Sequence, residues 1–181
     1  ILESDGGCWP NPGPATIGVV AKKDGKVLHQ ISQRIGYSTN NVAEYGGLIA
    51  GLTAARDLGA TVVDVRMDSK LVVEQMSGRW QIKNAALRDL AARASVLVQR
   101  FDTVRFTWIP RAENHRADAL ANAAMDGRPA PEVDLAPPSP ASRPSTSAST
   151  SASASFARFC ACSMAMEETS NPLTLYPCLA R

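Results

Sequence analysis

The chain has 181 residues, 45% of them hydrophobic, and a net charge of +2. That length supports one ordinary domain with a core plus an extension, and so small a charge neither requires nor excludes a polyanionic partner. No apolar run is long enough to cross a membrane and no signal-peptide pattern opens the chain. The four cysteines have neither a disulfide-framework nor a zinc-type spacing, so a cytoplasmic protein with reduced thiols is the expectation.

The first strand is expected over Ile1 to Gly7, shortened at its start because the sequence opens on Ile1 rather than Met. A turn dense in Gly and Pro follows it. Thr16 to Ala21 and Lys26 to Ile35 read as two strands joined at Asp24-Gly25, a strong hairpin signal, so the first three strands form a meander. A helix from about Asn41 to Leu58 carries an apolar stripe of Val42, Tyr45, Leu48, Ile49, Leu52 and Ala55, and Gly59 stops it. In "TVVDVRMD", Val63, Val65 and Met67 alternate with Asp64, Arg66 and Asp68, the period of a strand. Ser69 to Ser77 forms a short helix. Asn84 caps a longer one whose apolar face runs from Leu87 to Phe101. "TVRFTWIP" is the fifth strand, and Asn114 caps a last helix through Met125. The order βββ-α-β-α-α-β-α predicts an α/β fold. Its five-stranded mixed sheet has three antiparallel strands followed by two parallel ones, with helices on its faces.

Patterning ends near residue 126. Residues 127–155 are rich in Pro, Ser and Ala and lack the apolar bulk to offset ordering entropy, which predicts a disordered linker. Residues 156–181 hold apolar residues without a sustained period. They read either as a fragment of a second domain or as an out-of-frame remnant.

Four acids stand out by position. Asp5 lies on the first strand, just before the turn, where an ionised carboxylate is costly unless paired. Glu44 falls in the first turn of the first long helix, Asp68 ends the fourth strand, and Asp118 falls in the first turn of the last helix. Taken singly, the last three fit the ordinary preference of acids for helix N-termini. As a set from several elements, they suit a hard divalent cation such as Mg²⁺, which takes one or two carboxylates per ion plus phosphate oxygens. Like charges brought together repel, so such a site needs the metal for its charge balance. Two ions about 4 Å apart are suited to in-line phosphodiester displacement.

The motifs "SDGG…NPGPA", "TNNVAEY", "MDSKLVVEQM" and "ENHRADALAN" resemble type 1 ribonuclease H over about residues 1–126. The resemblance implies a ribonuclease H-like fold and endonucleolytic, two-metal-ion cleavage of the RNA strand of RNA–DNA hybrids. Mg²⁺ is the expected cofactor, with Mn²⁺ as the other candidate, and a monomer is expected. The family's catalytic and metal-binding carboxylates fall on Asp5, Glu44, Asp68 and Asp118. On the substrate side, Asn11 and Asn40 match positions that meet the minor groove and sense 2′-hydroxyls, the groups that distinguish RNA from DNA. Cys8 matches a position next to the substrate, Asn41 stands in the DNA-contacting turn, and Lys70 follows the catalytic Asp-Ser. Thr39 and Asn84 match parts of a pocket for a DNA-strand phosphate. Turn and cap chemistry is the competing reading for the Asn residues, and a small buried filler for Cys8. Gly46, Gly47 and Gly51 read as close helix packing rather than phosphate binding.

The chain departs from the family pattern in three places. "CWP" replaces more usual small and basic residues after the first aspartate. The basic, Trp-bearing handle of some relatives is absent, with Arg79, Trp80 and Lys83 as either a small substitute or a packed sheet edge. His115 lies just inside the last helix rather than in the loop where many relatives place an assisting histidine. The chain also resembles the N-terminal half of bifunctional ribonuclease H/acid phosphatase proteins, but it has no Arg-His-Gly signature and no histidine in its tail, so phosphatase activity is not expected. The alternative to a nuclease is an idle nucleic-acid-binding module of the same fold, which the presence of all four acids disfavours.

Overall fold

The computed structural model describes residues 1–131, and the segments expected as linker and tail lie outside the described residues beyond that point. Five strands and four α-helices follow in the anticipated order. They are β1 (Leu2–Cys8), β2 (Gly13–Lys23), β3 (Lys26–Ser38), α1 (Asn40–Asp57), β4 (Val62–Met67), α2 (Lys70–Met76), α3 (Ala85–Val98), β5 (Thr103–Trp108) and α4 (His115–Asp126), with a single 3₁₀ turn over Arg111–Glu113 before α4. The sheet order is β3-β2-β1-β4-β5. β1 and β3 both run antiparallel to β2, and β4 is parallel to β1 and β5.

The meander is longer than composition predicts. β1 pairs with β2 over seven residues, Leu2↔Ala21 through Cys8↔Ala15, one residue past the expected end at Gly7. β2 begins at Gly13 rather than Thr16, and β3 continues to Ser38, the extra length being accommodated by register shifts at Ala15/Thr16 and Ala21/Lys22. The hairpin turn has Asp24 and Gly25 both at positive φ, 51° and 78°, as the Asp-Gly pair predicts.

Each face of the sheet is covered by helix. On one face Leu2, Val19, Val63, Val65 and Met67 pack with Tyr45, Leu48 and Leu52 of α1, Val72 and Val73 of α2, and Leu87 and Ala91 of α3. On the other, Val20 and Val27 pack with Leu120 of α4. β3 also grips the end of α4. The Ser32 hydroxyl donates to the Leu120 carbonyl (2.7 Å), and the Arg34 guanidinium donates to the carbonyls of Ala124 (2.8 Å) and Met125 (2.7 Å), a cation at the negative end of the helix. Gln30 Nε2 reaches the Pro131 carbonyl (3.3 Å), so contacts with the sheet extend past the expected boundary at 126. Among the described residues, no helix is long and apolar enough to cross a membrane.

The helix glycines separate into two kinds. A Cβ on Gly47 would lie 2.7 Å from Ser4 Oγ and 2.8 Å from the Asp5 carbonyl oxygen. One on Gly51 would lie 2.8 Å from Leu2 Cδ2. A Cβ on Gly6, across the same contact, would overlap the backbone of Ala43 and Glu44. α1 therefore rests on β1 backbone to backbone, which the reading of Gly47 and Gly51 as packing residues requires. Gly46 differs, because its Cβ would meet only Ile35 and Ile17 side chains at 3.4 and 3.5 Å. Gly47→Ala is therefore expected to destabilise by about 1–3 kcal/mol through overpacking. Gly46→Ala, with the same gain in helix propensity, is expected to be neutral or to stabilise by up to about 1 kcal/mol. Thermal and urea unfolding of the two variants checks the pair.

Candidate active site

The close approach of α1 to β1 fixes where Glu44 sits. Helix α1 begins at Asn40, with no acid in its first turn, so Glu44 lies one turn deeper than the sequence suggests, against the Gly6 backbone. Parallel pairing of β1 with β4, Leu2↔Val65 and Glu3↔Arg66, sets a register that brings Asp5 level with Asp68 when carried forward. Neighbouring strands are about 4.8 Å apart. Carboxylate oxygens of Asp5, Glu44 and Asp68 accordingly all lie within 4.8 Å of one another, from β1, α1 and the end of β4. Asp5 and Glu44 are buried, at 8% and 6% exposure, and Asp68 is half-buried.

Burial and mutual repulsion act together on this cluster. Asp5 is pushed up from 3.8 to about 6, first by burial and then by the charges of Asp68 and Asp118. Glu44 is pushed up from 4.5 to about 9, first by burial and then by Asp5 and Asp68. Arg111 and the Gly6 backbone N–H oppose both shifts without cancelling them. Glu44 Oε2 is buried with no hydrogen-bond partner among the described residues. An all-oxygen donor set, excess negative charge and an orphaned buried carboxylate oxygen together fit a hard divalent cation such as Mg²⁺.

Asp118 stands at the rim of this group and is not one of the three that converge. It lies in the first turn of α4. One of its oxygens is ion-paired with Arg111 and the other accepts from Asn122 Nδ2 (2.9 Å). Its charge still reaches Asp5.

The profile of the family described as "Reverse transcriptase-like" matches residues 3–124. The "Bifunctional protein Rv2228c" of Mycobacterium tuberculosis is 53% identical over 128 residues, covering 70% of this chain and 35% of that protein. The solved N-terminal RNase H domain of that protein, as a fusion with maltose binding protein, aligns with a TM-score of 0.68 over 70% of this chain and 92% of that chain. The chain belongs to the ribonuclease H family. LC11-RNase H1, solved in complex with an RNA/DNA hybrid, is 41% identical with a TM-score of 0.66, over 70% of this chain and 96% of that chain. The expected resemblance to the first part of a bifunctional protein is met, and this chain spans about a third of that relative's length.

The residues expected on the substrate side fall into groups. Cys8, Asn11 and Asn40 are brought together. Asn11 Oδ1 accepts from Cys8 Sγ (3.4 Å) and from the Asn40 backbone N–H (3.3 Å), which ties the Gly/Pro turn to the start of α1. Asn11 is exposed, and its side-chain oxygen is engaged twice. Cys8 is half-exposed, so it is not a buried filler. Thr39 occupies the N-cap of α1 without a side-chain cap bond, and Asn41 is exposed in the first turn. Lys70 is exposed at the start of α2. Asn84 caps α3, its Oδ1 accepting from the Leu87 N–H (3.3 Å) as the sequence predicts. Arg79 is ion-paired with Glu74, and Trp80 is half exposed. His115 Nδ1 contacts the Ala112 carbonyl (3.3 Å) rather than the acids.

Two residues in contact with the acids escape the sequence reading. Arg111, seven residues before Asp118, supplies the cation at the rim. Asn114 reads as a helix cap, but its side chain makes no cap bond. It is fully buried and donates to Asp68 Oδ1 (2.8 Å) and to the Ser4 carbonyl (3.0 Å).

The raised carboxyls give a signed pH dependence. Asp5 and Glu44 bind protons more tightly in the folded chain than in the unfolded one. Their contribution to stability is therefore full below the ordinary carboxylate range, and it is lost as pH rises through about 6 for Asp5 and about 9 for Glu44. In EDTA, the melting temperature should fall from pH 5 to pH 9, and Glu44→Gln should flatten that fall. A melting temperature that rises across this window in the parent would contradict the assignment.

Proposed function

We propose that residues 1–126 form a divalent-cation-dependent endoribonuclease domain that hydrolyses the RNA strand of RNA–DNA hybrids. The observation that carries this reading is the convergence of Asp5, Glu44 and Asp68 from three separate elements onto one partly buried, negatively charged spot. Family membership and the relative solved with an RNA/DNA hybrid supply the substrate class. Asp5, Glu44 and Asp68 would hold Mg²⁺, or Mn²⁺ in its place, with Asp118 as the fourth acid at the rim. When bound, two such ions activate water and stabilise the leaving oxygen in an in-line phosphodiester displacement.

The chain's own residues bind and orient the hybrid. Asn11, held from its oxygen side by Cys8 and Asn40, offers its amide N–H to a minor-groove acceptor such as a 2′-hydroxyl. Asn41 and Lys70 face solvent where the DNA strand and its phosphates are to be met. Among the described residues, the Thr39 hydroxyl makes no cap bond and Asn84 is engaged only through its oxygen, which leaves both groups for a DNA-strand phosphate. Few cations gather around the "SGRWQIK" segment where a handle would be, so binding rests on scattered phosphate contacts and is salt-sensitive. The domain acts as a monomer in a cytoplasmic setting, where its one described cysteine, Cys8, stays reduced. Residues beyond 126 serve as an extension that cleavage does not require.

The test is cleavage of a labelled RNA–DNA hybrid by parent and by Asp68→Asn, with and without Mg²⁺. The parent should cut only the RNA strand and only with the cation. Asp68→Asn should lose activity by several orders of magnitude while retaining hybrid binding. A variant within about tenfold of the parent, ~1.4 kcal/mol in barrier, would remove Asp68 from the chemistry. Hybrid binding by the parent without cleavage would favour the idle binding module. Removing residues 127–181 should leave the rate within a few-fold of the full chain, and a larger loss in a folded truncation would assign the extension a role.

A further inference from the structure

We infer that Asn114 is a positioning residue that orients the Asp68 carboxylate, an inference resting on the reading of Asp68 as a catalytic acid. The ladder between β1 and β4 runs over Leu2↔Val65 and Glu3↔Arg66. Just beyond it, the Ser4 carbonyl takes the Asn114 side-chain amide (3.0 Å) instead of a β4 partner. The same Nδ2 donates to Asp68 Oδ1 (2.8 Å), so one amide group bridges the β1 backbone and a carboxylate on the continuation of β4. Both partners are acceptors. That fixes the amide orientation and leaves Asn114 Oδ1 as a buried acceptor with no partner among the described residues.

Alternative reasons for an Asn here fail. It occupies the N-cap position of α4, but its φ and ψ of −92° and 14° are not those of a usual cap and its side chain makes no cap bond. It is fully buried, so solubility is not the reason. Its amide hydrogens face the two oxygens, and an Asp, Ser or Ala in its place could not donate to both at neutral pH. The Asp68 backbone is held separately, by the Trp108 indole N–H donating to its carbonyl (3.1 Å). Trp108 thus fixes the main chain of Asp68 and Asn114 fixes its side chain, whose carboxylate lies beside those of Asp5 and Glu44.

The experiment compares parent, Asn114→Ala and Asn114→Ser by kcat and KM on a labelled hybrid, and by the Mg²⁺ concentration that half-maximally raises the melting temperature. Loss of a partner that orients a metal-binding side chain typically costs 10–100-fold, so kcat and the Mg²⁺ midpoint should each worsen by roughly that factor while KM changes little. A purely structural residue would lower the melting temperature but leave kcat per folded molecule and the Mg²⁺ midpoint unchanged, which overturns the inference. If neither variant folds, the unmodified protein still decides, through the ¹⁵N side-chain amide resonances of Asn114. They should exchange slowly and shift on Mg²⁺ addition. Rapid exchange with no response to Mg²⁺ would overturn the inference. Failure of the parent to cleave hybrids would instead remove the proposed function, and the Mg²⁺ midpoint and the amide resonances would still report on Asn114.

Discussion

The rest of the structure depends on holding three carboxylates, two of them buried and one half-buried, with oxygens within 4.8 Å of one another. Folding alone opposes this. Burial penalises each charge and the neighbours penalise it again, so the scaffold must supply the rigidity. It does so with backbone contacts that leave little freedom: α1 against β1 at Gly6 and Gly47, β1 beside β4 in parallel register, and α4 fastened to β3 by Ser32 and Arg34. The hydrophobic clusters on the two faces stabilise these contacts. The unfavourable charge is concentrated beside the middle of β1 and the end of β4, where, on the proposed function, a cation would relieve it.

The polar residues around the cluster divide the labour. Gly6 N–H and Arg111 soften the repulsion from the protein side. Trp108 and Asn114 hold Asp68 by its two ends. Asn11, Cys8 and Asn40 form a separate small network, in which a Gly/Pro turn is tied to the first residue of α1, the helix that also carries Glu44. On the proposed function, a hybrid gripped at Asn11 would be registered, through α1, against the acid that helps form the cluster. Recognition and chemistry share one rigid element.

Much of this was legible in the sequence, because hydrophobic period and turn chemistry are local. The Asp24-Gly25 hairpin, the alternation of Val63, Val65 and Met67, and the cap at Asn84 all follow from such signals. The three converging acids were also legible, through motifs whose spacing mirrors the strand–helix order. What was not legible depends on tertiary context. Composition marked residues 13–15 as loop, yet pairing with β3 draws Pro14 into a strand opposite Tyr37. Asn114 carries the local signature of a cap, and only the arrival of Ser4 and Asp68, distant by 110 and 46 positions, turns its side chain inward. Gly46 and Gly47 are indistinguishable in sequence, and only one faces the β1 backbone.

The central claim is that repulsion among Asp5, Glu44 and Asp68 is built into the folded chain and is relieved by a divalent cation. The most direct measurement is the melting temperature of the parent and of Asp68→Asn across a Mg²⁺ titration, both starting from EDTA at neutral pH. Without metal, Asp68→Asn should melt no lower than the parent, because an isosteric neutral group replaces one of the repelling charges while Asn114 keeps an oxygen to donate to. With Mg²⁺, the parent should gain stability and the variant should gain much less. A variant that melts well below the parent in EDTA, together with a parent that does not respond to Mg²⁺, would contradict the account.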